Sequence, residues 1–157
     1  LLFLYHPTVL KKSMTKFKAV KIKMTQIWKG DSVVPVTVLS IAEKSEENPF
    51  EILKEGERVQ VSSISKGKGF QGVVKRHGFH GGPKTHGQKN RLRMPGSIGS
   101  TAPQRVIKGK RMAGHMGAVR VTVNNLLIAG MKPEEKLIMV KGAVPGMRGT
   151  KVEIRKS

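Results

Sequence analysis

The sequence contains no cysteine. Disulfide staples and thiolate metal sites are thereby excluded, and the chain is compatible with a reducing compartment. Aromatic residues are only 4% of the chain and hydrophobic residues 38% of its 157 positions, so Val, Ile, Leu and Met must build a small core. There is no apolar run long enough to cross a bilayer as a helix, and no long amphipathic basic helix to lie on an anionic membrane. Acidic residues are the scarcest resource. Ten Asp and Glu stand against 30 Lys and Arg, giving a net charge of +20. All ten lie at 31–57 or 134–153, and none occurs from Arg58 to Pro133. Such an excess repels itself in a compact monomer and makes sense where the phosphates of a polyanion replace the missing carboxylates.

The opening LLFLYHPTVLKKSM does not read as a secretory signal, because Lys11 and Lys12 follow the apolar run where a signal would place them before it. Met14 is read as a start, and residues 1–13 as a disordered upstream extension. Both flanks of the acid-free middle have strand character. In FKAVKIKM, Val20 and Ile22 alternate with Lys21 and Lys23. Lys29-Gly30-Asp31-Ser32 predicts a turn, and VVPVTVLSI a second strand in which Pro35 calls for an edge position or a bulge. AEKSEENPFE predicts a loop and RVQVSSI, from Arg58 to Ile64, a third strand. In VRVTVNN, Val119, Val121 and Val123 share a face, and LLIA, EKLIMV and TKVEIRK supply three more strand candidates. Turns fall at Gly130-Met131-Lys132-Pro133 and in GAVPGMRG. The expectation is an all-β fold, a small barrel or sandwich built from 14–65 and 116–157, from which 66–115 loops out.

That insert carries 12 Lys and Arg and 11 of the chain's 18 glycines. Gly67, Gly69 and Gly72 match G-x-G-x-x-G, but a dinucleotide site also needs a preceding strand, a following helix and an acid about twenty positions on. VVKRHGFHGGP reads as unable to continue a helix, and no acid is near. His77, His80 and His86, with His115 further on, invite a zinc reading. Zinc sites draw on thiolates or carboxylates as well, and twelve neighbouring cations oppose a divalent one. Imidazoles against bases, sugars or phosphates are the better account, and neither metal nor cofactor is expected. Catalysis lacks an acidic orienter for a Ser–His pair and a carboxylate cluster for metal ions, so the chain is not read as an enzyme.

Nucleic-acid binding remains. Glycine admits positive φ and close backbone approach, here expected of Gly67, Gly69, Gly81 and Gly82. Phosphate contacts are assigned to Lys66, Lys68, Lys75, Arg76, Lys84, Lys89, Arg91, Arg93, Arg105, Lys108, Lys110 and Arg111. His77, His80 and His86 are assigned to bases or sugars, and Phe70 and Phe79 offer stacking faces. An acid-free segment of low hydrophobicity is expected to order on its partner. Duplex DNA readers present a helix or ribbon, which the insert does not resemble, so folded RNA is favoured over the alternative of a DNA-compacting architectural protein.

SKGKGFQGVVKRHGF, THG, PGSIG, KGKRMAGHMG, RVTVNNL and LLI…VKGAVPG, in that order, resemble the bacterial-type large-subunit ribosomal protein L three family. KMTQIW with GDSVVPVTVL resembles its amino-terminal hairpin, and the likeness covers most of residues 18–154. The resemblance implies a translation-protein-type β-barrel and a long loop that penetrates large-subunit rRNA. It implies early binding in subunit assembly, contact with neighbouring ribosomal proteins, and a place in a cytoplasmic or organellar ribosome. It also implies that the loop tip, here Gly96, Ser97, Ile98, Gly99, Ser100 and Thr101, approaches the peptidyl transferase centre without doing chemistry. The sequence departs from the family in two places. Only about two dozen residues, Ile41 to Ile64, separate the hairpin from SKGKGF, where the family has several dozen more; a reduced form and an omitted segment both stay open. Gln104 is offset from the position methylated in some members, so that modification is not carried over.

Overall fold

The computed structural model describes residues 16–41 and 48–156. The upstream extension 1–13, the start at Met14 and the acidic stretch 42–47 lie outside the described residues. The chain divides into two units, Ser65–Val119 and the described residues on either side of it. The elements are β1 (Lys16–Lys29), β2 (Ser32–Ile41), α1 (Pro49–Ile52), β3 (Arg58–Ile64), β4 (Phe70–Gln71), α2 (Val73–His77), β5 (Gly114–His115), β6 (Arg120–Lys132), β7 (Leu137–Lys141) and β8 (Lys151–Lys156). The fold is mainly β, as expected. Six strands close a barrel in the order β1-β2-β7-β6-β3-β8, each neighbour antiparallel. Closure is reached with the short Ile41–Arg58 connection.

The barrel core follows from period-two alternation, which sends every second side chain inward. Phe17 and Ala19 come from β1, Leu39 and Ile41 from β2, Val59 and Val61 from β3, Ile138 and Val140 from β7, and Val152 and Ile154 from β8. Ile128 of β6 joins them, and Leu53 and Val144 add apolar cover from outside the strands. Each of these buried Val, Leu, Ile and Phe side chains contributes roughly 1.5–3 kcal/mol of transfer free energy. β1 and β2 continue past the β8 and β7 ladders as a two-stranded ribbon that turns at Gly30 (φ +61°) and Asp31. On this ribbon Met24, Trp28 and Val33 are exposed. Pro35 is accommodated because its carbonyl faces Gly142 N at 2.9 Å. Its missing N–H therefore lies on that side, just beyond the first β2–β7 pair, Val36 with Lys141.

Four local readings are corrected by the structure. The inward face of β1 is the opposite of the expected one: Lys21 is buried behind Phe17 and Ala19, while Val20 and Ile22 are half-buried. Lys21 Nζ donates to the carbonyls of Val144 at 2.7 Å and Gly146 at 3.1 Å, which replace its hydration. Ile22 is the extra residue of a bulge that rephases the strand between Lys21 and Lys23. RVTVNN and LLIA, expected as separate strands, are one strand, β6. Asn124 and Asn125 bulge opposite Gln60, whose Nε2 donates to Asn124 Oδ1 at 2.6 Å, and Asn125 takes φ +59°. The end of the loop expected at AEKSEENPFE winds into α1, because the Asn48 side chain accepts from Phe50 N, Pro49 needs no donor there, and Glu51 Oε1 accepts from Asn48 Nδ2 at 3.0 Å. VVKRH does form a helix, α2, but only five residues long before Gly78 ends it at φ +74°.

Candidate nucleic-acid interface

β3 leads into the Ser65–Val119 unit at Ile64, and β6 resumes at Arg120. The stem of this unit is a pair of crossing segments tied by backbone bonds. Ser65 N donates to Val119 O, Lys68 N to Met116 O and Met116 N to Gly69 O, all at 2.9 Å. Gly117 (φ +79°) is indispensable here, since a Cβ would sit 2.1 Å from Lys66 O. The stem continues into the pairs Phe70 with His115 and Gln71 with Gly114. Beyond it, α2 buries Val73 and presents Lys75, Arg76 and His77 in its last turn. Arg76 Nη1 donates to Met112 O at 2.8 Å, and His77 Nε2 lies 3.0 Å from the same oxygen.

A second clasp lies further out. Gly82 N donates to Leu92 O at 3.0 Å, and a Cβ on Gly81 would stand 2.0 Å from that oxygen. The close approach expected of Gly81 and Gly82 is thus made to the chain's own backbone. Gln88, which sequence reasoning passed over, holds the turn: with its amide turned so that the oxygen meets the two donors beside it, it accepts from Arg91 N and Leu92 N, each at 2.7 Å. No local pattern in the sequence announces that bond.

The sequence-predicted cations are spread along the whole unit. Lys66 and Lys68 stand on the stem, and Lys75 and Arg76 on α2. Lys84, His86, Lys89, Arg91 and Arg93 lie exposed on the outgoing stretch, with Arg105, Lys108, Lys110 and Arg111 on the return. His80 is exposed as well, and His77 is half-buried beside Phe79, with ring centroids 6.0 Å apart. None of the twelve Lys and Arg forms an ion pair among the described residues. The pairs that are present, Arg120–Glu153, Lys132–Glu135 and Lys156–Glu57, belong to the barrel unit. Among the described residues no group of three or more His, Asp or Glu side chains is arranged to hold a metal ion.

The tip candidates Gly96, Ser97, Ile98, Gly99, Ser100 and Thr101 are all exposed and carry no regular structure beyond a turn beginning at Thr101. Ser97 Oγ donates to Gly99 O at 2.9 Å, and Gly96 takes φ +80°. Around them Met94, Ile98, Val106 and Ile107 expose apolar side chains. Uncompensated cations interleaved with exposed apolar groups on an irregular backbone suit a partner that is both polyanionic and full of crevices.

The sequence profile of the family "Ribosomal protein L3" matches residues 4–134. The chain belongs to the ribosomal protein L3 family. Large ribosomal subunit protein uL3 of Chlorobaculum tepidum is 56% identical over 107 residues, covering 68% of this chain and 51% of that protein. The uL3 proteins of Dehalococcoides mccartyi and Acidothermus cellulolyticus are 55% and 53% identical, over 66% and 70% of this chain. The chain spans about half the length of these curated L3 relatives.

Proposed function

We propose that this chain is a structural constituent of the large ribosomal subunit, that it binds large-subunit rRNA, and that it supports early subunit assembly. The observation that carries the reading is the Ser65–Val119 unit: twelve Lys and Arg, no acid, and no ion pair among its described residues, in a chain of the L3 family. The mechanism is charge neutralisation and positioning. The barrel anchors the chain, the insert threads between rRNA helices, and Lys66, Lys68, Lys75, Arg76, Lys84, Lys89, Arg91, Arg93, Arg105, Lys108, Lys110 and Arg111 engage phosphates while His77, His80 and His86 reach bases or sugars. Residues 96–101 form the tip nearest the peptidyl transferase centre, the chain touches neighbouring ribosomal proteins, and it does no chemistry of its own. A five-residue α2 and a two-residue β4–β5 pair give the insert no groove-filling element, which disfavours a DNA-compacting role. The test is co-sedimentation with the large subunit, followed by crosslinking from Arg91 and Ser100. Crosslinks from Ser100 to nucleotides around the peptidyl transferase centre are expected. A chain that stays in the supernatant overturns the proposal.

A further inference from the structure

Between α2 and the tip, the Ser65–Val119 unit encloses an open cleft of about 1130 Å³. Its wall includes His77, Phe79, Arg91, Met94 and Arg111, and no acidic residue lines it. Two clasps hold the wall in place. Arg76 and His77 bond to Met112 O on one side, and Gly82 N bonds to Leu92 O on the other. The cleft therefore joins a half-buried aromatic face and a soft thioether to two guanidinium groups without a carboxylate partner. That combination matches an aromatic anion. A base stacks on an aromatic side chain with little regard to its identity, and a guanidinium forks onto a phosphate. Paired bases do not offer such a contact, because their faces are already covered by their neighbours in the helix.

We infer that the cleft takes an unpaired nucleotide of the bound RNA, its base against Phe79 and Met94 and its phosphate between Arg91 and Arg111. This rests on the RNA-binding reading above and adds to it a discrete, single-strand-specific contact. The phosphate contacts along the insert are diffuse; this one requires a base that is out of its stack.

The test uses the full chain and a short single-stranded RNA carrying one 2-aminopurine, with large-subunit rRNA affinity measured in parallel. Binding is expected to quench the 2-aminopurine, and the same RNA annealed to its complement is expected to show no added quenching. Phe79→Leu keeps the apolar volume and removes the face, so affinity for the oligonucleotide falls about 5- to 150-fold. Phe79→Trp restores the quenching, an outcome that a purely structural role for Phe79 would not give. Arg91→Gln lowers oligonucleotide affinity and leaves the clasp at Leu92 intact. Three outcomes overturn the proposal: no quenching while rRNA binding persists, quenching that Phe79→Leu leaves unchanged, or a free 2-aminopurine nucleotide that binds as tightly as the RNA. The first of these leaves the ribosomal reading standing. Loss of rRNA binding by the unaltered chain removes both.

Discussion

Lys21 holds its ammonium against the carbonyls of Val144 and Gly146, and the side chain is 7% exposed. Removing the charge strands two carbonyls in the end of a barrel, so Lys21→Met is expected to lower stability by about 2–3 kcal/mol, read as a fall in denaturation midpoint. An unchanged midpoint would show that the loop re-satisfies those oxygens unaided. Glu153 illustrates the weaker surface case. Arg120 donates to both of its oxygens, one bond being Nη1 to Oε1 at 3.3 Å. This hydrogen bonding, with a smaller attraction from the Arg120 charge, holds the Glu153 pKa below its usual 4.5 against the opposing effect of burial. A depressed carboxylate contributes stability above its unfolded pKa, and that contribution is lost as pH falls through the folded value. Glu153→Gln is therefore expected to lower stability slightly near neutrality, with the two curves converging as pH drops below 4.5. The pair is half exposed and screened, so the gap stays small.

At the scale of elements, β3 was legible from RVQVSSI, because Val59 and Val61 alternate with Arg58 and Gln60 and both valines are buried in the barrel. The inward face of β1 was not, since a buried lysine inverts the apparent faces and the carbonyls that solvate it come from a loop more than a hundred residues away in sequence. β6 was divided at Asn124-Asn125 because the alternation of Val119, Val121 and Val123 stops there; in the structure the two asparagines bulge opposite Gln60 and the strand runs on. Asn125 stands at φ +59°, where a β-branched side chain is strained. Asn125→Val is expected to cost about 1–2 kcal/mol in unfolding experiments, and Asn125→Gly markedly less. Equal costs would contradict the bulge. In the insert, the charge pattern was plain from sequence and the clasps were not, because they close on the main-chain carbonyls of Met112 and Leu92, which no residue pattern singles out. Those clasps divide the insert. Residues 65–77 and 112–119 are cross-tied and Gly82 is tied to Leu92, whereas within 95–110 the backbone bonds are the local turns Thr101–Gln104 and Ile107–Lys110. Amide exchange in the free chain is expected to be fast across 95–110 and slower in the stem, with both protected on rRNA. Full protection of 95–110 without RNA would refute this.

For the whole molecule, charge segregation links the sequence to the proposed role. All ten acids fall outside the insert in sequence, and the insert is left with an excess of twelve Lys and Arg that a polyanion would offset. Binding should then be dominated by counterion release, with affinity falling linearly on a log–log plot against salt and a slope of about −0.9 per phosphate neutralised on a duplex, or about −0.7 on a single strand. The deciding measurement is a salt titration of full-chain affinity for folded large-subunit rRNA, repeated with duplex DNA as competitor. The account predicts a steep slope, reporting many phosphates, and retention of rRNA under excess duplex. A nearly flat slope, or displacement of rRNA by duplex DNA, would contradict it.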